Sequence, residues 1–134
     1  MSYDLKRLRQ EIATAVATID GLNVSAYLPN PMLPTPCAFL IPKTILYGYT
    51  IPRLNQKSYF SLQLLIGRQK DLSESQSDID EYISYLGTKS LYAAVSAGTY
   101  TEISHVHLET LDQYGGFNYY DTMYLGALFT IETY

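Results

Sequence analysis

Apolar residues recur every three or four positions at the start of the chain, with charged residues between them. They are Leu5, Leu8, Ile12, Val16 and Ile19. This spacing predicts an amphipathic helix over residues 4–19, which Asp4 caps and Gly21 ends. Apolar and polar residues then alternate over residues 22–28, which is the pattern of a half-buried strand.

Four prolines within residues 29–36 exclude regular secondary structure from that segment. Residues 37–41 then predict a short buried strand that Pro42 ends, and residues 44–50 alternate as a further extended segment. Residues 58–67 are mostly apolar on both faces. They predict the central strand of a sheet that is covered on both sides.

Helical spacing returns in the second half of the chain. Asp71 or Ser73 opens a second predicted helix, Gly87 ends it, and a short third helix follows over residues 90–97. The buried stripe of the second helix is expected at Ile79, Tyr82, Ile83 and Leu86.

Two strands complete the pattern. One is predicted near residues 101–111, followed by a Gly-rich and Tyr-rich turn at residues 113–121 and a final alternating strand. The apolar face of that strand holds Leu125, Ala127, Phe129 and Ile131. The order α-β-β-β-α-α-β-β predicts an α+β fold, with a mixed, mainly antiparallel sheet flanked by two or three helices. At 134 residues, with no internal repeat or linker, residues 1–134 are expected to form a single domain.

Composition and charge narrow the function classes. The apolar runs are far shorter than the ~20 residues that cross a bilayer, and residues 1–9 are too polar for a signal peptide, so we expect a cytoplasmic product with no membrane partner. The formal net charge of −4 argues against a nucleic-acid partner. Residues 1–70 nevertheless carry a net +5 and residues 71–134 a net −9. If folding keeps the two halves apart, their opposite charges would favour stacking of the protein on further copies of itself or on a partner of complementary charge. If folding mixes the two halves, no such charged face remains.

Three alternating residues form a candidate metal site. His105, His107 and Glu109 would share one face of a strand, and two imidazoles with a carboxylate can bind iron or zinc. The same pattern is typical of a strand whose buried face carries Val106 and Leu108, with the histidines on the exposed or interface face. Both interpretations stay open.

The single cysteine, Cys37, excludes a disulfide within the chain. Paired with a histidine it is a candidate nucleophile, but its apolar neighbours favour an inert buried thiol. The chain holds no phosphate-binding loop, no nucleophile elbow and no dinucleotide motif. The sequence therefore predicts a protein that is not an enzyme and needs no cofactor.

The chain has 14 Tyr, 4 Phe and no Trp. Five of these aromatic residues lie close together in and just after the Gly-rich segment: Tyr114, Phe117, Tyr119, Tyr120 and Tyr124. Aromatic side chains suit subunit contacts and sugar-binding surfaces alike, so both hypotheses remain.

Six short segments recur together, in the same order, in a known family. They are residues 19–22 (IDGL), 37–42 (CAFLIP), 64–68 (LLIGR), 79–83 (IDEYI), 87–91 (GTKSL) and 124–129 (YLGALF). Over nearly the whole chain they resemble the tail-terminator proteins of long-tailed bacteriophages, which are also described as tail-completion or neck proteins. The fold of that family, a sheet flanked by helices, agrees with the predicted pattern.

The resemblance implies a structural protein of the virion that is assembled in the host cytoplasm. Such a protein forms a ring, usually hexameric, on the last ring of the tail tube, ends tail elongation and presents a surface for head-tail joining. Its expected partners are further copies of itself, the tail tube protein and the head-tail connector or stopper protein.

A closed ring needs heterologous contacts between subunits. We hypothesise that Arg68 and Lys70, beside Asp71, contact acidic residues of an adjacent subunit; the alternative is a solvated loop whose ion pairs contribute little. A head-side connector or stopper of the same neck is an alternative role. From other classes, a sugar-binding module that uses the aromatic segment and a small metalloenzyme remain as alternatives.

Overall fold

The computed structural model describes residues 5–47, 56–68, 72–101 and 106–133. Within these ranges the elements follow the predicted order and confirm an α+β fold. They are α1 (Leu5–Val16), β1 (Asn23–Ser25), β2 (Cys37–Tyr47), β3 (Gln56–Arg68), α2 (Leu72–Ile83), α3 (Leu91–Ser96), β4 (Val106–Tyr119) and β5 (Thr122–Thr133).

The five strands form one mixed sheet in the order β1-β2-β3-β5-β4. β1 runs parallel to β2, and the other neighbouring strands are antiparallel. β3 is the central strand, as the apolar run at residues 58–67 predicts. Its Leu62 and Leu64 are buried on one face of the sheet and its Leu65 on the other.

The helices pack on one face of this sheet and form the main core. They contribute Leu8, Ile12 and Val16 from α1, Ile79 and Tyr82 from α2, and Leu91 and Val95 from α3. The sheet contributes alternate residues of β2, β3 and β5, among them Leu40, Leu62 and Phe129. Each fully buried side chain of this size stabilises the fold by about 1.5–3 kcal/mol.

A smaller apolar cluster covers part of the opposite face. Its centre is Cys37, Phe39 and Leu65, all fully buried. The residues packed against this centre come from the proline-rich segment, from β2 itself and from the β4–β5 hairpin: Met32, Leu33, Ile41, Phe117, Tyr119 and Tyr124. The sheet is therefore covered on both sides, by helices on one and by loop and hairpin residues on the other.

The β4–β5 hairpin curls back over this second face. Gln113 of β4 lies in the same row of the sheet as Gln63, because both pair with Leu128. The hydroxyl of Tyr119, six residues further along β4, nevertheless donates to Gln63 Oε1 at 2.9 Å. Six residues of straight strand would span about 20 Å, so the hairpin must bend for this contact to form.

The backbone conformation at the bend and at the turn is consistent with a hairpin that folds back over the sheet. Gly115 has a φ of 143°, and a Cβ at Gly126 would lie 1.9 Å from the carbonyl oxygen of Leu64. The turn itself has two residues, Tyr120 and Asp121, with φ of 53° and 63°. Positive φ at both positions matches a type I′ hairpin turn, in which Asn and Gly are the usual residues.

Pro42 does not end a strand, contrary to the sequence prediction. β2 continues to Tyr47, with a shift of register between Pro42 and Thr44. β1 pairs only with the first three residues of β2, so no described strand lies beside Pro42 on that side of the sheet. A proline without an N–H donor is tolerated at such a position.

Three further boundaries differ from the pattern. Residues 113–119 belong to β4 rather than to a turn, because their glycines allow the hairpin to bend. Leu86 is 74% exposed, since α2 ends at Ile83 and the helical spacing no longer directs Leu86 inward. β1 is limited to Asn23–Ser25, shorter than the predicted strand.

Candidate assembly surfaces

The candidate metal residues are only partly within the described chain. His105 lies outside it. His107 faces Glu132, with its Nε2 3.9 Å from Glu132 Oε1, whereas Glu109 is exposed at a shift of register in β4. Among the described residues, no group of three or more His, Cys, Asp or Glu side chains is placed to hold a metal ion.

Cys37 has the environment of an inert thiol. It is fully buried in the smaller apolar cluster, and burial raises its pKa to about 11. The thiolate is the nucleophilic form of cysteine. At neutral pH the buried side chain is therefore protonated and shielded from solvent.

A polar network links Lys43 of β2 to Asp112 of β4 and Thr130 of β5. Lys43 Nζ lies 3.2 Å from Asp112 Oδ2 and 2.8 Å from Thr130 Oγ1. Thr130 and Thr110 both donate to the Asp112 carboxylate. Desolvation acts to raise the pKa of Asp112, but the hydrogen bonds from Thr110, Thr130 and Lys43 outweigh it and lower the pKa. The network joins β2 to the β4–β5 hairpin.

Of the charged interface candidates, only the backbone of Arg68 lies within the described structure, at the end of β3. The backbone of Arg68 pairs with Tyr124 of β5, while its side chain, Lys70 and Asp71 are outside the described part of the structure. Their contact with an adjacent subunit stays a prediction.

The aromatic candidates do not share one surface. Phe117 and Tyr119 point to the second sheet face, where Tyr119 meets Phe39 edge-on at 5.4 Å and burial raises its pKa. Tyr114 is on the helix side of β4 and 43% exposed, and Tyr120 is at the turn and 50% exposed. Phe117 and Tyr119 thus stabilise the fold of their own chain, while Tyr114 and Tyr120 are accessible to a partner.

Exposed apolar side chains also occur where the sequence pattern did not predict them. Between α2 and α3, Tyr85 and Leu86 are 67% and 74% exposed. Leu111 of β4 and Met123 of β5 are also exposed. Tyr85 and Leu86 are exposed because α2 ends at Ile83, and helical spacing alone does not predict where that helix ends.

Part of the charge segregation survives folding. Lys6 and Arg7 are exposed on α1, and Asp78, Asp80 and Glu81 are exposed on α2. The pairing of Lys43 with Asp112 shows that the two halves of the chain are mixed elsewhere. The helical layer therefore carries a basic and an acidic surface on different helices.

Comparison of the chain with models of protein families and with curated proteins finds no match. Within the described ranges, no helix is long and apolar enough to span a membrane.

Proposed function

We propose that this protein is a structural protein of a bacteriophage neck, which forms a ring on the end of the tail tube, stops tube growth and offers a surface for head joining. The observation that carries the proposal is the set of large apolar side chains exposed on the edge strand β4 and on the loop between α2 and α3. Leu111, Tyr114, Tyr85 and Leu86 are all more than two-fifths exposed. Exposed aromatic and aliphatic side chains of this kind are typical of surfaces that bind other protein chains.

The open edge of β4 supports the same function. No described strand pairs with its outer side. The register shifts near Glu109 and Asp112 interrupt the first half of β4, whereas residues 113–119 pair regularly with β5. Shifts of this kind disfavour pairing with another chain. Beyond the bend at Gly115, the edge of β4 continues without a further shift and permits such pairing. The second half of β4 is thus suited to a contact with an adjacent subunit.

The segments that resemble tail-terminator proteins contain residues that determine the backbone. Gly21 follows α1 with a φ of 81°, and Ser90 caps α3 by accepting from the N–H of Ala93 at 3.1 Å. Gly126 lets β5 approach β3 closely. The resemblance is therefore carried by residues that shape the whole domain, which favours a similar role for the whole chain.

A tube-elongation assay tests the proposal. A phage tail tube protein is polymerised alone and with increasing amounts of the purified chain, and tube lengths are measured by electron microscopy. We expect shorter tubes with one capped end as the amount of the chain rises. Unchanged lengths and uncapped ends would contradict the proposal.

A parallel arm addresses the head-side role. Filled heads that lack neck proteins are incubated with the chain and separated from free protein by sedimentation. Binding to heads without binding to tubes would identify a connector or stopper and refute the capping role. Binding to tubes is the result we expect.

A further inference from the structure

We infer that the loop between α2 and α3 of one copy docks in a groove between α1 and the C-terminal end of α3 of the next copy. The inference rests on the proposed function, because it names a contact that a ring of identical subunits requires.

The docking element is the projecting pair Tyr85 and Leu86. Leu86 is the most exposed large apolar residue of the described chain, and the ring of Tyr85 stacks on Tyr92 with centroids 4.7 Å apart. The backbone behind them is anchored, since Ser90 Oγ donates to the carbonyl oxygens of Ser84 at 2.5 Å and Tyr85 at 3.2 Å. An anchored apolar projection loses little conformational entropy on binding.

The receiving surface is an open groove of about 510 Å³. One wall is the outer side of α1, with Gln10, Thr14 and Thr18, and the other is the segment that follows α3, with Ala97 and Thr99. The walls are joined because the Glu11 carboxylate accepts from the N–H and the hydroxyl of Thr101 at 2.8–3.2 Å. The groove is thus a fixed feature of the surface, large enough for exposed side chains of a second copy.

The charges around the two surfaces are complementary. Lys6 and Arg7 are exposed on the helix that forms one wall of the groove. The acidic residue of the same wall, Glu11, accepts hydrogen bonds from Thr101. Asp80 and Glu81 are exposed on the last turn of α2, just before the docking loop, and only Glu81 has a described ion pair, with Lys89 at 3.1 Å. A loop beside an acidic helix end therefore meets a groove beside a basic helix, and this charge complementarity favours a second copy as the occupant.

The two surfaces lie at opposite ends of α3. The loop precedes the N-cap Ser90, and Ala97 of the groove is the C-cap. A contact between two different surfaces of the same protein is heterologous, and repeated contacts of this type form a closed ring or an open filament. The arrangement fits a ring better than a two-fold dimer, because in such a dimer each surface would contact the same surface of the partner subunit.

Disulfide trapping between two single-site variants tests the contact. Leu86→Cys and Thr14→Cys proteins, distinguished by tags of different mass, are mixed and oxidised mildly, and cross-linked species are quantified on non-reducing gels. Met123→Cys replaces Leu86→Cys in the matched control, because Met123 is also exposed but lies on β5. The native Cys37 is fully buried and does not compete.

We expect at least tenfold more cross-link between the Leu86 and Thr14 positions than between the Met123 and Thr14 positions. The cross-link yield should fall severalfold in 1 M salt, because charges more than about 3 Å apart are then largely screened from each other. The yield should also fall when Lys6→Glu is added to the Thr14→Cys protein. Restoration by Asp80→Lys in the Leu86→Cys protein would identify the charge pairing. Equal yields for the two mixtures would overturn the inference.

The failure of this inference is distinguishable from failure of the proposed function. If the wild-type protein caps tubes but the two mixtures cross-link equally, the contact is wrong and the capping role stands. If the selective cross-link forms but the protein leaves tube length unchanged, the contact is right and the capping role is wrong. Equal denaturation midpoints of the variants and the wild type show that each change leaves the fold intact.

Discussion

Replacement of Gly126 by alanine tests the close approach of β3 and β5. A Cβ at this position would lie 1.9 Å from the carbonyl oxygen of Leu64 and 3.2 Å from the Cα of Leu65. Ordinary van der Waals contact begins near 3.4 Å, so one backbone would have to move by about 1.5 Å. Both contacts are with the backbone of the central strand, which is held by β2 and β5 on its two sides.

The expected cost follows from the movement that this clash requires. Overpacking a close-packed site costs about 1–3 kcal/mol and sometimes more. Displacement of the strand would also weaken ladder hydrogen bonds that contribute roughly 1 kcal/mol each. We therefore expect Gly126→Ala to lower the free energy of unfolding by about 3 kcal/mol, a large share of the roughly 5–15 kcal/mol typical of a domain.

Urea denaturation followed by circular dichroism measures this loss, with Gly67→Ala as the matched control. Gly67 also lies in the sheet, but its nearest neighbour to a built Cβ is Thr35 Oγ1 at 3.9 Å. Because alanine restricts the unfolded chain more than glycine does, the control should be neutral or stabilised by up to about 1 kcal/mol. A Gly126→Ala protein within about 0.5 kcal/mol of the wild type would refute the close approach.

The remaining predictions concern the hairpin, the polar network and the cysteine. Tyr119→Phe removes the donor to the buried Gln63 and should destabilise the fold by about 1–3 kcal/mol in the same assay; no loss would contradict the folded-back hairpin. Asp121→Gly should raise the free energy of unfolding by about 1 kcal/mol, because glycine adopts a φ of 63° without strain. The folded-state pKa of Asp112 is lowered, so its charge stabilises the protein at neutral pH and this contribution is lost as the pH falls through the folded pKa; Asp112→Asn should therefore cost more stability at pH 7 than at pH 3. Cys37 should not react with a thiol reagent at pH 8 until the protein unfolds, and rapid labelling of the native protein would contradict its burial.

The sequence pattern predicted the fold well where periodicity and end signals coincide. The spacing of Leu8, Ile12 and Val16 identifies the buried face of α1, and the alternation of β5 identifies its core residues. The pattern was misleading where contacts between distant parts of the chain determine where an element ends. The missing donor of Pro42 suggested a strand end, but a shift of register and the shortness of β1 allow β2 to continue.

The candidate surfaces were less predictable than the core. The aromatic residues at 114–120 form one group in the sequence, yet alternation and the bend of the hairpin direct Phe117 and Tyr119 inward and leave Tyr120 outside. The exposure of Leu86 depends on where α2 ends. The groove beside α1 depends on the packing of a segment more than 80 residues away, such as Thr99, and no local pattern predicts that packing.

Cryo-electron microscopy of tail tubes completed in the presence of the purified protein is the most direct test of the proposed capping role. We expect one closed ring of this protein at a single end of each tube, with neighbouring subunits in contact side to side. Protein bound along the tube wall, or tubes whose ends lack it at saturating concentration, would contradict the proposed role in ending tail growth.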